Sequence, residues 1–153
     1  MTYNTILVPY DGSDPANRAL DRAIELAKAL GSQIVLLYVV EEMHLPLSKY
    51  SLKLPSNKIA RENLERFYRE MEKDGLDALE EKKKLCVSAQ VPAKTAVLRG
   101  NTVEQILSIA KKEEADLVIV GSSGFSGISK LKVLGSVSRK LSEQSPCPVM
   151  IVH

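Results

Sequence analysis

Apolar positions along the chain fall into two patterns: short unbroken runs, and longer stretches in which they recur every third or fourth residue. The first run, Thr5-Ile6-Leu7-Val8, is β-branched and stops at turn-forming residues 9–13, which predicts a strand buried on both faces. Asp14 and Pro15 then read as an N-cap and first-turn pair. Leu20, Ala23, Ile24, Ala27 and Leu30 share one helical face, and Gly31 ends that helix. Residues 34–40 form the second strand-like run. Residues 41–57 carry Pro46 and Pro55 without a clean period and read as a long loop, either a lid or contact surface or a plain connector.

A helical stripe follows over 58–85, drawn by Ala60, Leu64, Phe67, Tyr68, Met71, Gly75, Ala78 and Leu79. The charge run 80–84 suits a solvated helix end, with lysines toward the C-terminal dipole. Residues 93–98 predict a third strand, and Gly100 turns the chain. Thr102-Val103-Glu104-Gln105 fits a capping box that opens a helix with Val103, Ile106, Leu107 and Ala110 inward, ended near Asp116. Residues 117–120 predict a fourth strand, 135–143 a last helix and 148–152 a fifth strand. Strands alternating with helices in this way predict an α/β fold, a parallel sheet with helices on both faces, here as one domain over residues 1–153.

Composition narrows the function classes. Against 21 basic residues stand 19 acidic ones, for a net charge of +2, and aromatics make up only 5% of the chain without any Trp. Neither a basic nucleic-acid face nor a stacking platform follows from that. Cys86 and Cys147 form no CxxC, and His44 and His153 are isolated, so a zinc site or disulfide framework is not expected and reduced thiols in a cytoplasmic protein are. The first residues lack the basic and apolar regions of a signal peptide, and no segment approaches the roughly 20 apolar residues of a membrane span.

Chemistry is expected beyond the carboxyl ends of the strands, where a parallel sheet leaves a crevice at the reversal of strand order. Two strand ends stand out. One is Pro9-Tyr10-Asp11-Gly12-Ser13; the other runs from Gly121 through Gly124 and Gly127 and continues to Gly135-Ser136-Val137 at the start of the last helix. Glycines admit positive φ and close approach of backbone N–H groups to an anion, and a helix N-terminus adds unpaired donors. Phosphate binding and simple turn geometry both account for the glycines. For Asp11, a ribose acceptor and a helix or turn cap both fit. The chain has no GxxxxGK[ST], and its glycines read GxxGxxG after the fourth strand, so neither a P-loop nor a dinucleotide fingerprint is present.

The segments ILVPYDGSDPANRALDRAIELAKALGSQIVLLYVV and ADLVIVGSSGFSGISKLKVLGSVSRKLSEQSPCPVMIVH together resemble the universal stress protein family. Its nucleotide-binding members carry a glycine, two residues, a glycine, nine residues, then glycine and Ser or Thr. Here Gly121, Gly124 and Gly135-Ser136 match, with ten residues (125–134) in the longer gap, an insertion that a surface loop is expected to absorb.

The resemblance implies a single open five-stranded sheet of order 3-2-1-4-5 and an adenine nucleotide, ATP or AMP, as ligand. It implies that Asp11 contacts ribose, that Pro9 and Tyr10 wall the base, and that Val39 meets adenine through its backbone. Gly121 would lie near the ribose, with Gly124, Gly135, Ser136 and Val137 on the phosphates, and Mg2+ would be held mainly by the phosphates. It also implies a homodimer in which 148–152 pairs with its copy.

Lys130 and Lys132 are expected on a solvated loop face. Ser122, Ser123 and Ser126 lack a partnering His and Asp, so the expected function is stress-response or signalling through binding and dimerisation, with at most slow ATP hydrolysis. The alternative is a ligand-free scaffold of the same fold. An ATP-using enzyme of a related fold would need HxGH or SGGxDS where this chain has PYDGSD.

Overall fold

The computed structural model describes residues 3–42, 58–124 and 134–153. Among these residues nine elements follow one another: β1 (Thr5–Pro9), α1 (Asp14–Leu30), β2 (Gln33–Glu41), α2 (Lys58–Ser88), β3 (Ala93–Gly100), α3 (Thr102–Lys112), β4 (Leu117–Gly121), α4 (Ser136–Gln144) and β5 (Val149–Val152). The strands form one sheet of order β3-β2-β1-β4-β5, every neighbouring pair parallel. Central strands of such a sheet have no wet face, which is why β1 and β4 are continuous apolar runs. Ile6 and Val8 join Leu20, Ala23 and Leu79 in a core layer beneath α1 and α2. Leu7, Val35 and Val118 join Ile106 and Leu141 in a second layer beneath α3 and α4.

Several element ends differ from the sequence expectation. The N-cap of α1 is Ser13, whose hydroxyl accepts from the Ala16 N–H at 3.3 Å; Asp14 and Pro15 lie inside the first turn. The reason lies just upstream, where Gly12 takes φ +84° and the Asp11 carboxylate accepts the Ser13 N–H at 2.9 Å, completing the turn one residue early. Likewise Asn101, not Thr102, caps α3, its side-chain oxygen accepting from the Glu104 N–H at 3.1 Å. The expected box with Gln105 does not form. Asp116 lies beyond the end of α3 and instead accepts from the N–H groups of Asn4 (2.8 Å) and Thr5 (3.0 Å), tying the start of β1 to β4.

α2 runs on to Ser88, so the charge run 80–84 precedes its last turn: Glu80 accepts from the Thr95 hydroxyl at 2.7 Å, and Lys82 lies 5.7 Å from the centre of the Tyr10 ring. Leu30 and Phe67, expected inward, are 48% and 53% exposed. Phe67 and Tyr68 point about 100° apart on the helix, so only one can face the sheet. Tyr68 takes that place beneath the Arg99 guanidinium, which is 4.9 Å from its ring centre.

Arg99 joins α2 to the end of β3. Its guanidinium donates to Glu65 at 2.9 and 3.0 Å and to Glu72 at 2.9 Å, with Glu42 3.9 Å away. The hydrogen bond from Arg99 holds the Glu65 carboxyl below its ordinary value of 4.5. A carboxyl depressed in the folded state stabilises fully above its unfolded value and loses that contribution as pH falls through the folded one. Arg99→Met is therefore expected to be less stable than the wild type at pH 7 and to lose less on acidification from about pH 5 to 3. Denaturation midpoints across that range test this, and parallel curves for the two proteins would contradict it.

Candidate functional site

A cleft of about 600 Å3 opens at the carboxyl ends of the central strands. It lies where strand order reverses: β2 sits on one side of β1 and β4 on the other, with the connecting helices on opposite faces. Its volume falls in the range of small-molecule sites, about 300–1,000 Å3. All nine residues singled out in the sequence line it: Pro9, Tyr10, Asp11, Val39, Gly121, Gly124, Gly135, Ser136 and Val137.

Asp11 caps a turn and also faces the cleft. One carboxylate oxygen holds the turn through the Ser13 N–H, and the other faces Gly124, where an added Cβ would stand 2.7 Å from it. The carboxylate and the second strand tip are thus in contact range, and only the lack of a side chain at Gly124 leaves room.

The three motif glycines are needed for close approach rather than for positive φ, which among the described glycines is found at Gly12, Gly31 and Gly100. A Cβ on Gly121 would meet the carbonyl carbon and Cβ of Pro15 and the nitrogen of Ala16 at 2.7–2.9 Å, so this glycine lets α1 pack onto β4. Gly135 takes φ −62° and ψ 160° as the N-cap of α4, and its N–H donates to the Ser122 carbonyl at 2.7 Å. The same carbonyl accepts from the buried Ser138 hydroxyl at 2.9 Å. These bonds set the start of α4 against the tip of β4.

With glycine at its N-cap, α4 has no side-chain cap, in contrast to α1 and α3. Its first-turn N–H groups and the exposed Ser136 therefore present donors and the positive end of the helix dipole at the cleft.

Val39 contributes backbone. Along β2, Gln33 donates to Asn4 and Leu37 accepts from Tyr10, both on the β1 side, whereas Ile34 donates to Pro92 beside β3. Alternation turns the N–H and C=O of Val39 to the β1 side too, past the last paired position of that strand, Pro9 opposite Leu37. Tyr10 lines the cleft while its ring packs in the first core layer and its hydroxyl donates to Asn17 at 2.9 Å.

Sequence reasoning missed Thr102 and Ile106, which bring the start of α3 to the cleft, and Tyr38 and Glu41 at the end of β2. Helical spacing marked Ile106 as inward but cannot say which end of the sheet a residue meets. Residues 43–57 and 125–133 lie outside the described residues, and with them most of the expected 41–57 loop, His44, Ser126, Gly127, Lys130, Lys132 and the added residue of the glycine loop. Among the described residues no cluster of three or more His, Cys, Asp or Glu could hold a metal ion. Burial raises the pKa of the Cys86 thiol, which makes it a poor nucleophile.

Residues 2–153 match the family model described as the universal stress protein family. The chain belongs to the universal stress protein family. It is 36% identical over 153 residues to the universal stress protein YxiE of Bacillus subtilis, covering 99% of both chains. Its fold is that of the family's solved structures. Universal stress protein UspA from Lactobacillus plantarum superposes with a TM-score of 0.84 at 24% identity, over 100% of this chain and 99% of the other. A universal stress protein in complex with cAMP superposes with a TM-score of 0.67 at 25% identity, over 100% and 98%. No helix among the described residues is long and apolar enough to cross a membrane.

Proposed function

We propose that the chain, as one unit over residues 1–153, is a cytoplasmic stress-response or signalling module that binds an adenine nucleotide, ATP or AMP, and acts through occupancy and dimerisation rather than fast turnover. One observation carries the reading: the uncapped first turn of α4, the free side of the Asp11 carboxylate and the outward backbone of Val39 meet in one cleft of about 600 Å3. These are, in order, donors for phosphate, an acceptor for ribose hydroxyls, and a donor–acceptor pair for the edge of a base. The cAMP in the related structure supports an adenine ligand.

Phosphates would lie over Gly124, Gly135, Ser136 and Val137, and the ribose at Asp11 beside Gly121. The base would sit between Pro9, Tyr10 and the backbone of Val39. Mg2+ would be held mainly through the phosphates. The homodimer would form along β5, an edge strand whose Met150 is 38% exposed.

Mass spectrometry of freshly purified protein tests both parts. Denaturing conditions are expected to release ATP or AMP, and native conditions to show a dimer. A nucleotide-free protein that also gives no heat on titration with millimolar ATP would overturn nucleotide binding and leave the ligand-free scaffold as the reading.

A further inference from the structure

Gly75 occupies the middle of the 31-residue helix α2 and is buried. Glycine there weakens a helix relative to alanine, so its presence calls for a reason. The structure supplies one. A Cβ at Gly75 would stand 2.8 Å from Cε1 and 2.9 Å from Cγ of the Tyr38 ring, and closer still to Cδ1. These are ring carbons held between a helix and a sheet, not the free end of a flexible chain. The Tyr38 ring therefore lies directly on the backbone of α2, in a seat that only glycine provides.

Tyr38 is also adjacent to the cleft's base-reading segment. It lines the cleft with Val39 and Glu41, all on the last part of β2, past the point where β1 stops flanking it. Support for that segment has to come from β3 and from α2. Pairing with β3 continues through Glu41 opposite Gly100. On the helix side, Tyr38 on Gly75 and Arg99 on Glu65 and Glu72 draw α2 onto these strand ends.

We infer that Gly75 is a positioning residue for recognition of the base: by seating the Tyr38 ring, it sets the height and direction of the Val39 backbone groups. The inference rests on the reading of the cleft as an adenine-nucleotide site. It assigns adenine selectivity in part to a helix position that is not among the residues lining the cleft.

The test is a size-compensation series, Gly75→Ala, Tyr38→Leu and the double variant, with ATP and GTP affinities measured by calorimetry. Wild type is expected to prefer ATP. Gly75→Ala pushes the ring and the end of β2 aside and is expected to weaken ATP by about tenfold, one hydrogen bond to the base, with a smaller change for GTP. Removing the ring removes both the clash and the support, so Tyr38→Leu is expected to lose part of the ATP preference and the double variant to match Tyr38→Leu, the two changes being non-additive. Gly75→Ala with unchanged affinity, or with ATP and GTP falling in proportion, overturns the inference while leaving the nucleotide site standing. A wild type that binds neither nucleotide overturns the site reading and this inference with it. Should Gly75→Ala fail to fold, the double variant decides: folding and binding ATP as Tyr38→Leu does supports the seat, and failing to fold as well overturns it.

Discussion

Valine at position 124 is expected to remove nucleotide binding and spare the fold, whereas valine at position 121 is expected to damage the fold itself. The two glycines belong to one motif, three residues apart, yet they face different neighbours. Among the described residues, a Cβ at Gly124 meets only the Asp11 carboxylate, 2.7 Å from one oxygen and 4.0 Å from its carbon. The clash is relieved by turning that carboxylate, which leaves the sheet intact but takes away the proposed ribose acceptor and fills the space proposed for phosphate. Losing charge-assisted hydrogen bonds at both groups amounts to about 100-fold or more in affinity.

A Cβ at Gly121 instead meets backbone atoms of the first turn of α1 at 2.7–2.9 Å. Relief there means lifting α1 from β4, and overpacking of this kind costs about 3 kcal/mol. Calorimetric titration with ATP and urea denaturation of both variants separate the two effects. Retention of nucleotide by Gly124→Val would show that the phosphate-binding space lies elsewhere.

Truncation of Leu79 to alanine is the second large effect, here on stability. Only Tyr68, Gly75, Leu79 and Cys86 are buried along α2, and among them Leu79 is the one large aliphatic side chain, with no exposed surface. It belongs to the core layer that also holds Val8, Tyr10 and Leu36. A cavity there is expected to cost about 3 kcal/mol, within the range of buried Leu→Ala changes. Because Leu79 does not line the cleft, ATP affinity of the folded variant is expected to stay near wild type.

Linkage then gives a further check. Nucleotide at about 100 times its dissociation constant should return roughly 2.7 kcal/mol to the variant, as it should to the wild type. Denaturation with and without ATP measures both quantities. A Leu79→Ala protein as stable as wild type would mean that α2 is held chiefly by polar contacts such as those of Arg99.

How much of this was legible in the chain depends on the kind of interaction. Hydrophobic periodicity is local, and it located all nine elements because a doubly covered strand such as 117–120 must be apolar throughout and a helix on a sheet apolar on one side. Backbone chemistry is nearly as local. Glycines and a serine at a helix start, and an aspartate after a strand, named residues that do line one cleft.

Contacts between segments distant in sequence were not legible. Periodicity could not choose Tyr68 over Phe67, because that choice is made by Arg99, 31 positions further on. Cap positions slipped by one residue because neighbouring polar side chains are all competent caps, and the turn geometry at Gly12 and Gly100 decides among them. The close approach of Gly121 to α1, of Gly124 to Asp11 and of Gly75 to Tyr38 depends on which surfaces the sheet order brings together. Sequence alone determined the elements and their inventory of chemical groups, since those follow from forces acting within a few residues. Tertiary structure alone decided which groups touch, since excluded volume acts between whatever the fold places side by side, however far apart along the chain.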